Sequence, residues 1–290
     1  MVEWTEEGIS YEADQRHAEI IVKHLGIEGE SRSMCTPGVK GAKGSDKEEK
    51  ELDVFLDGHD GTMYRAIVAR GIYLAQYRSD IAFAVKELSR RMSCPDARDW
   101  QSLKRLGRYL LKRERAVSHF GYQSCPEHWS IWVDSDWAGC HRTRKSTSGG
   151  VIMFGNHAVK SWSATQQVIA LSSGEAEYYS MVRGGSMGSG IRAMARDLGV
   201  SIGVNVKTDA SAAKGIASRK GLGKVRHIDV SPLWLQDKVS KGEIVIEKVS
   251  THVNLADATT KHVDSGKLNS HMNAVGRIIV QMRHEFMPES

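Results

Sequence analysis

Apolar side chains recur at helical spacing in the first part of this chain and at alternate positions further on. The pattern therefore predicts helices first and a sheet later. In residues 11–25, YEADQRHAEIIVKHL, Ala18, Ile21, Val22 and Leu25 share one helical face, and Gly26 stops it. MCTPGVKGAKGSDKEEKELD follows, rich in Gly, Ser and charge, and reads as a linker without a core. From Met63 to Lys112 the spacing is helical three times over. Tyr64, Ile67, Val68, Ile72 and Leu74 mark one helix, and Ile81, Val85, Leu88 and Met92 a second. Trp100, Leu103, Leu106, Tyr109 and Leu110 mark a third, with Asp96 or Asp99 as its cap. Near Ser118 the period changes. SHFGYQ, WSIWVDSD, GGVIMFGN and AVKSWSA read as short strands. VIALSSGEAEYYSMVRGGSMGSGIRAMARDLG reads as a strand end and a long helix. VNVKTD (strand), ASAAKGIAS (helix), HIDVSPLWLQDKVSKG (helix), EIVIEKVS (strand) and NLADATTKH (helix) follow. Antiparallel strands followed by β-α alternation predict one mixed sheet with helices on its faces. The expected organisation is a helix and charged linker over 1–62, a helical subdomain over 63–115, an α/β domain over 116–268 and a tail over 269–290.

Composition narrows the class. The 290 residues leave room for about two domains. An apolar content of 40% with only 5 prolines is that of a globular chain. No apolar run is long enough for a membrane helix, and the acidic opening MVEWTEEGISYEADQRH is no signal peptide. Cys35, Cys94, Cys125 and Cys140 lie far apart with no zinc spacing, which reads as reduced thiols in an intracellular protein. The net charge of +5 is compatible with a nucleic-acid partner without requiring one.

Four carboxylates, Asp134, Glu177, Asp209 and Asp257, each stand beside a strand or helix boundary. In SIWVDSDW, Ile131 and Val133 share one face of a strand, while Trp132 and Asp134 share the other with Asp136. In LSSGEAEYY, Ser172 and Glu175 match a capping box, which gives Glu175 a structural task. Glu177 lies roughly 200° further round the helix and has no such explanation. Asp209 has an ordinary reading as the cap of the next helix. Asp257 likewise follows Asn254 at capping distance, at a helix start that favours an acid. The argument lies in all four acids occurring together. Clustered carboxylates without His or Cys partners call for a hard cation, Mg²⁺ or Mn²⁺. Two such ions between carboxylates form a clamp for in-line attack on phosphate. His252, in the loop before the last helix, is a candidate for proton transfer. His227 and Asp229 in RHIDV either pair locally or face a substrate.

The segment WVDSDWAGCHRTRKSTSGGVIMFGNHAVKSWSATQQVIALSSGEAEYYSM resembles the ribonuclease H domain of copia-type retrotransposon Pol polyproteins. VKTDASAAKGIA, KVRHIDV and STHVNLADATTK resemble it too, in the same order. YRAIVARGIYLAQYRSDIAFAVKELSRRM and WQSLKRLGRYL resemble the segment joining reverse transcriptase to ribonuclease H, and YEADQRHAEIIVKHLGI the end of the polymerase region. The resemblance implies a ribonuclease H fold, with five strands in a mixed sheet and helices on both faces. It places the metal-binding acids on Asp134, Glu177, Asp209 and Asp257. It further implies two-metal, Mg²⁺-dependent hydrolysis of the RNA strand of RNA–DNA hybrids, leaving 5′-phosphate and 3′-hydroxyl ends. The expected partners are the hybrid and the reverse transcriptase and integrase segments, with no membrane and no small-molecule cofactor. The expected location is a cytoplasmic virus-like particle with access to the nucleus. No YxDD-like motif occurs, so a C-terminal piece of a Pol polyprotein without a polymerase site is expected.

Two features depart from the family pattern. The long helix carries Gly184, Gly185, Gly188 and Gly190, each worth roughly 1 kcal/mol of helix stability relative to Ala. His252 lies in a short loop, five positions before Asp257. Phosphate contacts are expected from Arg142, Arg144 and Lys145 and from Arg219, Lys220, Lys224 and Arg226. A second basic surface is expected from Arg90, Arg91, Lys104, Arg105, Arg108, Lys112 and Arg113. Integrases and 3′–5′ exonucleases share the fold, but their acids follow other orders. The alternative from another class is a domesticated or decayed remnant that binds nucleic acid without cutting it.

Overall fold

The opening residues alternate apolar and polar side chains. In the computed structural model they form an antiparallel pair, β1 (Val2–Thr5) and β2 (Gly8–Glu12). The structure describes residues 1–27, 32–40, 54–140, 142–221 and 233–288. The helix expected over 11–25 is shorter, α1 (Arg16–His24), because Tyr11 and Glu12 are paired in β2 with Ser118 and Val117. The three helices expected next are α2 (Gly58–Ala75), α3 (Ser79–Ser89) and α4 (Ala97–Leu110). Asp96 and Asp99 make a reciprocal capping box on α4, so the two candidate caps act together. The part of the expected linker over 41–53 lies outside the described residues.

Two units divide the chain, one of Met1–Tyr122 with Lys261–Ser290 and one of Gln123–Thr260. β3 (Arg115–Gly121) belongs to the first. It pairs with β2 and with β9 (Arg277–Val280), giving an antiparallel sheet in the order β1-β2-β3-β9. SHFGYQ is thus a strand, but not of the sheet that carries the acids. The α/β unit begins at Gln123 where 116 was expected, and ends at Thr260 where 268 was expected. The expected tail from 269 holds the end of a helix (Ser265–Ala274) and β9. Apolar alternation marks a strand without marking its partner, and β3 finds one of its partners far away at the C-terminal end.

In the first unit Ile21, Tyr64, Ile67, Leu74, Ile81, Leu103 and Leu110 form the core. A charged pair is buried among them. Arg78 (1% exposed) donates to Asp80 (3% exposed) at 2.9 and 2.7 Å, and Tyr109 Oη donates to Asp80 at 2.7 Å. Burial alone would raise the Asp80 carboxyl, but the Arg78 guanidinium and Tyr109 hydroxyl hold it down at about 2.

The second unit holds β4 (His128–Asp136), β5 (Thr147–Phe154), β6 (His157–Thr165), β7 (Gly203–Thr208) and β8 (Val245–Lys248). Its helices are α5 (Ser173–Asp197), α6 (Ser211–Ala217), α7 (Trp234–Ser240) and the single turn α8 (Asp257–Thr260). The sheet order is β6-β5-β4-β7-β8. β5 runs antiparallel to β4 and β6, while β7 and β8 run parallel to β4. In sequence order that is 3-2-1-4-5 with only the second strand reversed, the ribonuclease H-like arrangement. Ile131 and Val133 of β4 point into a core with Tyr178, Met181, Val204, Val206 and Leu235.

The glycines of α5 have a packing reason. A Cβ on Gly188 would come within 2.8 Å of Val204 and 3.1 Å of Ile131, and one on Gly184 would run into Val133. The helix gives up propensity at these positions and gains close contact with the central strands.

Candidate metal centre

Asp134 stands near the end of β4, on the face opposite Ile131 and Val133, as the alternation predicts. It is 3% exposed. Glu177 lies in the second turn of α5, and Asp209 directly follows β7. Carboxylate oxygens of these three acids lie within 4.8 Å of one another. Parallel pairing of β4 with β7 brings their C-terminal ends together, and α5 lays Glu177 across them.

Glu177 shows the electrostatics of the group. Its Oε1 accepts from Ser135 N–H at 3.2 Å, while its Oε2 is buried with no hydrogen-bond partner. Burial, then Asp134 and more weakly Asp209, push this carboxyl up to about 8, against the pull of Ser135. An orphaned buried oxygen facing two other acids fits a site for a hard divalent cation.

Competing structural roles fall out differently for the other acids. Glu175 is buried and tied to the helix start: its N–H donates to Ser172 Oγ at 3.2 Å and its Oε2 accepts from Leu171 N–H at 2.9 Å. Asp209 does not cap α6. The N-cap is Ala210, whose side chain makes no cap bond, so Asp209 is left to face the other carboxylates. Asp257 opens α8 and lies outside the group of three. Asn254 Oδ1 accepts from Ala256 N–H at 3.1 Å, so Asn254 orders the turn before it.

His252 is exposed on a 3₁₀ turn, Thr251–Val253. Arg142 and Arg144 are exposed and Lys145 partly buried in the β4–β5 loop, which leaves the strand end that carries Asp134. Arg219 and Lys220 follow α6. Lys224, Arg226, His227 and Asp229 lie outside the described residues. In the other unit the expected basic surface is partly committed. Arg91 pairs with Asp96 and Asp99, Arg90 with Glu87, and Arg105 donates to Thr36. Arg108 and Lys112 remain exposed.

Sequence reasoning missed Ser180, Asn254 and Thr260, which all bind the strand end. Ser180 Oγ donates to the Asp134 carbonyl at 2.6 Å, Asn254 Nδ2 to the Val133 carbonyl at 3.1 Å, and Thr260 Oγ1 to Asp134 Oδ2. Asn254 stood out locally only as a cap before Asp257, and nothing marks the contacts of the three with β4, since their partners lie 46 to 126 positions away.

Two curated relatives match most of the chain. Both are retrovirus-related Pol polyproteins of Arabidopsis thaliana, from transposons RE2 and RE1. They are 31% identical over 234 and 230 residues, which is 76% and 75% of this chain. The chain belongs to the retrovirus-related Pol polyproteins of copia-type transposons. It spans about 15% of the length of these Pol relatives. No protein-family model matches it. Among solved structures it is similar to ribonuclease H1 of Halobacterium salinarum, at 15% identity and a TM-score of 0.33, over 46% of this chain and 94% of that one. The ribonuclease H-like fold of this Pol segment is carried by its strand order. No helix among the described residues is long and apolar enough to cross a membrane.

The raised Glu177 carboxyl makes a prediction about pH. Its folded-state value, about 8, lies above the ordinary 4.5. The folded chain therefore keeps a proton that the unfolded chain has released, and metal-free stability should fall as pH rises from 4.5 through 8. Thermal midpoints in EDTA should drop across that window, and Mg²⁺ should remove the drop. A flat profile in EDTA would contradict the crowded-acid reading.

Proposed function

We propose that this Pol segment is a metal-dependent endonuclease that hydrolyses the RNA strand of RNA–DNA hybrids. The observation that carries the reading is the meeting of Asp134, Glu177 and Asp209 at one end of the central strands of a ribonuclease H-like sheet. These three acids would hold the cation, with Asp257 as the fourth ligand from the turn beside them. Bound Mg²⁺, as a pair and with Mn²⁺ as a substitute, would supply an activated water and charge neutralisation at the leaving oxygen. The protein's own task is to keep the acids close and correctly turned. Ser135 N–H of β4 holds Glu177, and Ser180 and Asn254 hold the strand end that carries Asp134.

Arg142, Arg144, Lys145, Arg219 and Lys220, with Lys224 and Arg226, would meet phosphates along the substrate. Selection for a hybrid would come from helix shape and 2′-hydroxyl contacts rather than base reading. His252, exposed before Asp257, would carry a proton to or from solvent. The Gln123–Thr260 unit holds all four acids and is proposed as the catalytic module. Its partners would be the reverse transcriptase and integrase segments of a longer Pol chain, in a cytoplasmic particle with access to the nucleus.

Two glutamates on one helix separate this proposal from simple helix capping. Glu177→Gln should remove Mg²⁺-dependent cleavage of a labelled hybrid with little loss of stability. Glu175→Gln should cut nearly as well as wild type while losing roughly 0.5–1 kcal/mol, the scale of a weakened cap. The reverse assignment of effects would overturn the proposed site.

A further inference from the structure

The segment from Asn254 to Thr260 is fastened to β4 at both ends. Asn254, 6% exposed, donates to the Val133 carbonyl, and Thr260, fully buried, donates from Oγ1 to Asp134 Oδ2. Asp257 lies between these two attachments. Across the sheet Gly149 of β5 is the register partner of Asp134. A Cβ on Gly149 would run into Thr259 Oγ1 and come within 2.6 Å of Thr260 Cγ2 and 2.9 Å of the Thr259 carbonyl carbon. The space that Gly149 leaves on the sheet is thus the seat of Thr259 and Thr260.

We propose that Thr260, seated by Gly149, is a positioning residue that fixes the Asp134 carboxylate for a divalent cation. The inference rests on the metal-site reading above. A carboxylate crowded by Glu177 and Asp209 is repelled by both and turns away unless something holds it. A hydroxyl donating to one of its oxygens sets its rotation through a charge-assisted bond. Because Asn254 and Thr260 belong to one short segment, the same contact also fixes where Asp257 stands. The side chain itself touches no substrate. Its effect passes through Asp134, and loss of such a supporting group typically costs roughly 10–100-fold in metal affinity or activity.

The test is Mn²⁺ binding to the full chain by calorimetry, beside hybrid cleavage and thermal unfolding. Thr260→Val should weaken Mn²⁺ binding by roughly 10-fold or more and lower kcat by roughly 10–100-fold, with KM for the hybrid unchanged. Thr260→Ser, which keeps the hydroxyl, should recover most of both. Gly149→Ala should follow Thr260→Val, because it pushes the threonines off their seat. If Thr260→Val fails to fold, Thr260→Ala is read in its place. A Thr260→Val or Thr260→Ala protein that loses only thermal stability, with Mn²⁺ affinity and kcat kept, would overturn the proposal. So would a Thr260→Ser protein as impaired as Thr260→Val. A wild-type chain that binds Mn²⁺ yet cuts no hybrid would overturn the nuclease reading, and the Mn²⁺ affinity ratio would still decide on Thr260. A wild-type chain that binds no Mn²⁺ would overturn both.

Discussion

Replacing Asp134 by Asn is expected to lower hybrid cleavage by roughly 10²–10³-fold or more, the range for removing one preorganised electrostatic group from an active site. The amide keeps the shape of the side chain and an oxygen that accepts from Thr260, so the strand end should stay in place. It removes one of the negative charges that raise the Glu177 carboxyl, so that carboxyl should fall back toward its ordinary range. The thermal midpoint of the metal-free chain should hold or rise. An Asp134→Asn chain that is folded and cuts at the wild-type rate would remove Asp134 from the site.

The second large effect lies in the other unit and concerns stability. Asp80→Asn should cost about 3–5 kcal/mol, because it leaves the Arg78 guanidinium buried without its countercharge. Arg277, 7% exposed, is buried nearby and feels Asp80 as well. The carboxyl of Asp80 is held at about 2, below its ordinary 3.8. Its contribution to stability is therefore present above pH 3.8 and is lost as pH falls through about 2. Replacing Arg78 and Asp80 together by apolar residues should recover part of the loss, since neither member of the pair is then stranded while buried Arg277 still loses the charge it feels. Urea midpoints for the single and double variants check this, and an unchanged midpoint in Asp80→Asn would show that the pair contributes nothing.

How far the sequence could be read follows from which signals are local. SIWVDSD reads as a strand because β4 buries Ile131 and Val133 against α5 and turns Asp134 to the other face. The five sheet strands of the second unit and the three helices between residues 58 and 110 were legible for the same reason. The hairpin of β1 and β2 was not expected, although it carries its own alternation, and its neighbour β3 lies more than a hundred residues on. β3 itself was recognised as a strand and placed in the wrong sheet, because alternation does not name a partner. Among the acids, Asp209 looked like a helix cap until the structure put Ala210 in that role. Glu175 and Glu177 could be told apart in advance, since a cap is set by spacing along one helix. Thr260 and Asn254 could not be found, because their importance lies in contacts with β4 across the fold.

The central claim is that a cation held by these acids cuts the RNA strand of a hybrid. The most direct measurement uses the wild-type chain and one RNA–DNA hybrid, labelled in turn on its RNA and its DNA strand, across a titration of Mg²⁺ from EDTA upward. The account predicts no cleavage in EDTA and a rise with Mg²⁺. Cuts should fall in the RNA strand alone and leave 5′-phosphate and 3′-hydroxyl ends. A folded chain that leaves the RNA intact at every Mg²⁺ and Mn²⁺ concentration, or that cuts both strands alike, would contradict it.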